Sequence, residues 1–351
     1  MTRIYLSNLL LILGIFCGWQ LARSAEKLNV VCTLPTLEAI VREIGGDRVK
    51  TISLAKGTQD PHFVSPTPSL MRRVRNADLL IEVGMMLENW ADEVANGSGN
   101  ANIFRGTPGR IIASTGIPKL EVPSYITRAE GDLHPEGNPH VWLDPVRTSL
   151  LAENIESALT KASPDNDAYF QERLKDFQQR LDQALFGEEL LRLVGRAKLH
   201  RLTLDGSLHQ FLNDRQYKDQ PLSAYKGGWL QQAEVLGDVA TMEFHKVWVY
   251  TTQLFGMRLL ATIEERPGIP PGPRYLQQTI NQVKREDVRL ILVDNFYDPA
   301  IPKTIADQTN ARIVILPNQV QGEPEISNYF QLFERVLTGM VSVLTSQPYT
   351  R

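Results

Sequence analysis

The chain has 351 residues, 42% hydrophobic and 22% charged, with 37 basic and 40 acidic side chains and a formal charge of -3. That length supports a sizeable core and two domains. The near balance of charge excludes the basic excess or stripe of a nucleic-acid-binding surface.

Residues 1–25 read as an export signal rather than as part of the fold. Arg3 gives a positive start, and Leu9 to Trp19 is an apolar run of signal-peptide length, short for a membrane span. Ala22-Arg23-Ser24 then supplies a small-x-small cleavage site, with an uncleaved anchor as the alternative. Cys17 lies in the apolar run behind bulky Phe16, which does not suit lipoprotein processing. Cys32 is the one cysteine beyond the signal. No intramolecular disulfide is expected, and Cys32 reads as a small buried hydrophobe. The expected destination is the periplasm or the cell surface.

Leu28 to Thr33 is rich in β-branched residues and predicts a buried strand. Thr36 is expected to cap a helix over Leu37 to Ile44, ended by Gly45-Gly46. Val49 to Leu54 predicts a second strand, running into the turn-rich Gly57-Thr58-Gln59-Asp60-Pro61-His62. After Ser65-Pro66-Thr67-Pro68-Ser69 a helix is expected through Leu70, Val74 and Ala77. Strands follow at Leu79 to Val83 and at Ile111 to Ser114, with a short helix holding Trp90 between them. Strand and helix alternate, which predicts an α/β lobe with a largely parallel sheet.

Gly137-Asn138-Pro139-His140-Val141-Trp142-Leu143-Asp144-Pro145 is a stiff arm. Pro139 and Pro145 bias the residues before them to extended backbone. Asp144 and Pro145 suit the N-cap and first position of the next helix, expected through Leu150, Leu151 and Ile155. Ser163-Pro164 is expected to start another in the same way. Its apolar stripe, Phe170, Leu174, Phe177, Leu181 and Leu185, covers about 20 residues, or roughly 30 Å. Residues 187–235 read as a linker or insertion with short helices, and His200 and His209 as surface residues. Beyond them strands are expected at Val239 to Met242, Leu259 to Ile263, Leu290 to Val293 and Arg312 to Leu316. Helices are expected at Val249 to Phe255, from about Arg274, at Pro302 to Gln308 and at Tyr329 to Leu344. The fold class is thus α/β: an N-terminal lobe at 26–162, a connecting helix at 163–190 and a C-terminal lobe at 191–351, with a cleft between them.

His62, His140 and His245 stand in constrained settings at or near strand ends, where open α/β sheets bind ligands. Neutral imidazole is a common ligand for borderline divalent metals, and zinc accepts three of them. Separations of 78 and 105 residues form no motif, so the settings carry the signal. In Asp60-Pro61-His62 and Asn138-Pro139-His140 a polar turn residue can fix the second ring nitrogen.

These stretches resemble the substrate-binding proteins of zinc/manganese ABC transporters, the zinc-uptake and TroA-like group. The resemblance covers residues 26–347. It rests on Asp60-Pro61-His62 with Pro66-Thr67-Pro68, on Asn138 to Pro145, and on Phe244-His245-Lys246-Val247-Trp248-Val249-Tyr250 with Phe255-Gly256-Met257. Pro267-Gly268-Ile269 and Ala306 to Asn310 complete it. It implies two lobes joined by a rigid helix and a metal in the cleft. His62 and His140 would bind from the first lobe and His245 from the second. The protein would be a monomer that hands its ion to a membrane permease and catalyses no reaction.

Where the family often has a ligating carboxylate after the last strand, this chain has Leu316-Pro317-Asn318-Gln319-Val320. Asn318 is therefore taken as the fourth ligand, with Asp294, His134 or a water as alternatives. Neutral nitrogen donors favour Zn(II), with Mn(II) as the other candidate. Imidazoles must be neutral to bind, so the ion is expected to be lost below about pH 6. The long acidic and histidine-rich loop of many zinc members is reduced to Asp132-Leu133-His134-Pro135-Glu136, where His134 reads as a solvated residue. Two other functions compete. One is a zinc-dependent hydrolase with Glu243 as base, though no His-Glu-x-x-His is present. The other is an adhesin-like interaction protein with a structural metal.

Overall fold

Every strand expected from an apolar, β-branched run is a strand in the computed structural model, which describes residues 27–123, 134–265 and 269–346. The readings at 1–25, at Asp132-Leu133 and at Pro267-Gly268 lie outside those residues. The first half contains β1 (Leu28–Cys32), α1 (Pro35–Gly45), β2 (Val49–Ser53), α2 (Pro68–Val74), β3 (Leu79–Glu82), α3 (Trp90–Ser98) and β4 (Arg110–Ile112). Two long helices follow, α4 (Pro145–Ala162) and α5 (Asp167–Phe186). Next come α6 (Glu188–Val194), α7 (Arg196–Leu204), α8 (Leu208–Asp214), the small hairpin β5 (Gln216–Tyr217) and β6 (Gln220–Pro221), and α9 (Gly228–Gln232). The last part holds β7 (Ala240–Glu243), α10 (Val249–Leu254), β8 (Arg258–Thr262), α11 (Pro273–Arg285), β9 (Leu290–Asp294), α12 (Ala300–Asp307), β10 (Arg312–Leu316) and α13 (Tyr329–Thr345).

The strands form two four-stranded sheets, ordered β2-β1-β3-β4 and β10-β9-β7-β8, and every pairing in them is parallel. The inner strands β3, β7 and β9 are buried along their whole length, as expected when helices cover both faces of a parallel sheet. Helix α5 buries Phe170, Phe177, Leu181 and Leu185 of the predicted stripe, while Leu174 is half-buried against the core. It packs on α1 and α4 and also reaches α9. One continuous apolar core runs from Val30 and Ile40 through Phe177 to Leu292, Val314 and Phe333, so it joins both sheets. A second, smaller core around Met242, Ile280 and Ile291 fills the far face of the second sheet.

Some local expectations shift. Helix α1 starts at Pro35 with Leu34 at the N-cap. Thr36 is drawn elsewhere: its hydroxyl donates to Gln319 Oε1 at 2.6 Å and accepts from the Val320 N–H at 3.0 Å. Helix α2 stops at Val74, because Asn100 Nδ2 donates to the carbonyls of Val74 and Ala77. Ser163 ends α4 and is also the N-cap of the 3-10 turn Pro164–Asn166, with the proline at its start as predicted; α5 follows at Asp167. Asp144 caps α4 as predicted, accepting from the N–H groups of Val146 and Arg147. His200 and His209 are corrected from surface positions to half-buried ones. His200 Nε2 meets Asp182 Oδ1 at 2.6 Å, and His209 Nε2 meets the Leu254 carbonyl at 2.8 Å. Among the described residues no helix is long and apolar enough to cross a membrane.

Candidate metal centre

Residues from the carboxyl ends of both sheets converge on one buried point. After β2 the ladder continues for two residues before Gly57 to His62 turns away. Asp60 Oδ1 accepts from the His62 backbone N–H at 3.0 Å and meets His62 Nδ1 at 2.8 Å. Trp90 Nε1 donates to the Pro61 carbonyl at 2.8 Å and holds this loop from α3.

The same device recurs at the second histidine. Asn138 Oδ1 accepts from the His140 backbone N–H at 3.0 Å and meets His140 Nδ1 at 2.9 Å. Asn138 Nδ2 donates to Glu121 Oε2 and the Lys246 carbonyl, which fixes the amide's orientation. The arm is clamped along its length. Tyr250 donates to the Asn138 carbonyl at 2.6 Å, and Thr251 to that of Leu143 at 2.8 Å. Trp142 Nε1 donates to the Asn318 carbonyl at 2.6 Å, and Tyr329 to that of Trp142 at 2.8 Å.

His245 follows β7, and its Nδ1 meets Glu264 Oε2, beyond the end of neighbouring β8, at 2.7 Å. Glu243 turns the other way: its Oε2 accepts from the N–H groups of Val247 and Trp248 and caps the turn into α10. The fourth imidazole is His134, which is half-buried rather than solvated. Its Nδ1 meets the Met85 carbonyl at 2.9 Å, and its Nε2 lies 3.2 Å from His62 Nε2. Met85 and Met86 have φ of 55° and 63°, a left-handed pair that non-glycine residues seldom form. Sequence reasoning named His134 but set it aside, since nothing local signals a carbonyl presented by that backbone.

All four Nδ1 atoms therefore face acceptors: Asp60, Asn138, Glu264 and the Met85 carbonyl. Each is set to donate, so in the neutral ring Nε2 carries the lone pair, the state a metal ligand needs. The Nε2 atoms of His62 and His134 lie 3.2 Å apart, close enough to share one cation, a proton or a metal ion. A tetrahedral zinc with Zn–N of 2.0–2.1 Å sets adjacent nitrogens about 3.3 Å apart and imidazole centroids about 5.2 Å apart. The rings of His134, His140 and His245 lie 5.3, 5.4 and 5.3 Å from that of His62. The His140–His245 edge is wider, 6.4 Å. Among the described residues no group of three or more His, Cys, Asp or Glu side chains is spaced, as it stands, to hold a metal ion.

Burial, with the neighbouring imidazoles, holds His140 well below the usual histidine range, and its Nε2 has no partner. His245 is pushed down by burial, but its bond to Glu264 together with the charges of Glu264, Asp294 and Asp60 outweighs this, and the net shift is upward. Burial lifts Asp294 to about 7 against the pull of His245. Asn318 is fully buried. Its Nδ2 donates to Asp294 Oδ1 at 2.9 Å, while Asn318 Oδ1 and Asp294 Oδ2 are left without partners. Tyr297, just past β9, donates to Asp60 Oδ2 at 2.7 Å and ties the two halves together beside the centre.

The family model of ZnuA, the zinc-uptake complex component A periplasmic, matches residues 30–185 and 229–343. The chain belongs to the ZnuA family. Residues 186–228 lie between the two matched stretches. Manganese ABC transporter substrate-binding lipoprotein PsaA of Streptococcus anginosus is 27% identical over 172 residues, 47% of this chain and 52% of its own. Zinc-binding protein AdcA of Streptococcus pyogenes serotype M6 is 26% identical over 221 residues, 57% of this chain and 43% of its own. Iron-binding protein YfeA of Yersinia pestis is 24% identical over 221 residues, 62% of this chain and 67% of its own. The chain thus spans about half the length of the first two relatives. A zinc-bound ZnuA deletion mutant has a TM-score of 0.66 at 20% identity, covering 92% of this chain and 100% of that one. FpvC of Pseudomonas aeruginosa in complex with Mn2+ has the same score and identity, covering 91% and 99%. Both share the ZnuA fold.

Proposed function

We propose that this protein captures a divalent metal ion outside the cytoplasm and passes it to the membrane permease of an ABC transporter, as a monomer and without catalysing a reaction. The observation that carries the reading is the convergence of four imidazoles, three of them with ring centroids 5.3–5.4 Å from that of His62 and each with Nδ1 against an acceptor outside the centre. His62, His140 and His245 bind the ion, with His134 as a fourth nitrogen donor. Neutral nitrogen donors favour zinc, whereas manganese prefers oxygen. The relatives' names, which cite manganese, zinc and iron, support the metal-binding class and leave the ion to the donor chemistry. The carboxylates of Asp60 and Glu264, one bond behind the imidazoles, offset the ion's charge in a buried chamber. Glu243, the base a hydrolase would use, is occupied as a turn cap, which weighs against hydrolysis.

The test is competitive titration of the metal-stripped protein with Zn(II), beside His140→Ala and His134→Ala. The expected result is tight zinc binding, lost in His140→Ala and weakened by about 10–100-fold or more in His134→Ala. Unchanged binding in His140→Ala would refute the site.

A further inference from the structure

The second sheet ends in a feature that four imidazoles do not use. Asp294 is the last residue of β9 and has no exposed surface. One carboxylate oxygen is held by the Asn318 amide; the other, Oδ2, is buried with no partner. A buried carboxylate oxygen without a donor is costly, and native proteins seldom leave one. The Tyr297 N–H donates to the Asp294 carbonyl at 3.0 Å, and Tyr297 also bonds Asp60 and sets its ring 5.7 Å from that of His245, so Asp294 adjoins the metal centre. The Asn318 amide presents its N–H, not its oxygen, to Asp294 Oδ1 at 2.9 Å. Its N–H therefore fixes which oxygen of Asp294 stays free.

We propose that Asp294 is the specificity-determining residue of the centre. Its Oδ2 is an oxygen donor that harder cations, Mn(II) and Fe(II), recruit beside the imidazoles, and Asn318 is the residue that positions it. This rests on the metal-binding reading above. Zinc is satisfied by four nitrogens and needs the carboxylate little, whereas the harder ions prefer oxygen. Position 318, after the last strand, then acts through Asp294 rather than as a ligand. The donor set is built to accept more than one divalent ion, with one oxygen setting the ratio.

The experiment measures affinities of Zn(II), Mn(II) and Fe(II) for metal-stripped wild type, Asp294→Asn, and the exchanged double variant Asp294→Asn with Asn318→Asp. The double variant keeps an amide–carboxylate pair and the pocket's charge, so it remains informative if the single variant folds poorly. Both variants are expected to lose Mn(II) and Fe(II) affinity by about 10–100-fold more than they lose Zn(II) affinity. Equal losses for all three ions, or none, would overturn the proposal. Full Mn(II) affinity in the exchanged variant would also overturn it, by making position 318 the ligand. His140→Ala separates the two readings: if it abolishes zinc binding while the Asp294 variants change nothing, the metal site stands and the selectivity role fails.

Discussion

Asp60 performs three tasks with two oxygens: it closes its own turn, fixes the His62 tautomer and accepts from Tyr297 across the cleft. Those bonds outweigh its burial, and its carboxyl stays below the usual range. Glu88 illustrates the opposite outcome. It accepts from Thr33, Val83 and Gly84, yet full burial, with Glu82 adding its charge, raises it from the ordinary 4.5 to about 7. Between those two values the folded protein binds more protons than the unfolded chain. Stability from this group therefore falls as pH rises from about 4.5 to about 7, and levels off above. Urea melts of the metal-stripped protein across that interval should show the decline, and Glu88→Gln should flatten it even if the level drops. An unaltered slope in the variant would assign the proton to another group.

Among the elements, those with local chemistry were legible. Asp144-Pro145 caps α4, and the stripe on α5 is buried as its spacing implied. Thr36 carries an equally good cap signal, yet its hydroxyl serves Gln319. A cap depends on local spacing only when no distant acceptor competes for the side chain. The loop bearing His62 shows the same dependence on distant parts. A Cβ on Gly57 would lie 2.3 Å from the Gln321 backbone, so this loop rests directly on the segment after β10. Gly57→Ala should push them apart at a cost of about 1–3 kcal/mol, or one to two orders of magnitude in zinc affinity. Titration checks this, and an unchanged affinity would mean that the two loops need not touch for the ion to bind.

At the scale of the molecule, one apolar core includes residues of both sheets, and α5 binds them from behind. The chain is therefore expected to unfold in a single calorimetric transition, although it has two sheets and a cleft. Zinc at about 100 times its dissociation constant should add about 2.7 kcal/mol to that transition. Two resolved transitions, of which zinc moved only one, would mean that the halves melt independently.

By itself, the sequence determined the strands, most helices, the α/β class and the constrained settings of His62, His140 and His245. Each of those depends on contacts within a few residues: β-branched runs, proline-fixed arms, and Asx turns that hold a ring nitrogen two residues on. Tertiary structure alone decided the rest. His134 becomes a partner of His62 only because a left-handed pair at Met85-Met86 turns a carbonyl toward it. Glu264 is 19 residues from the imidazole it orients, and Asn318 is 24 from the carboxylate it holds. Such pairs meet because parallel strands bring their carboxyl ends side by side. No local pattern encodes which neighbour a strand will take.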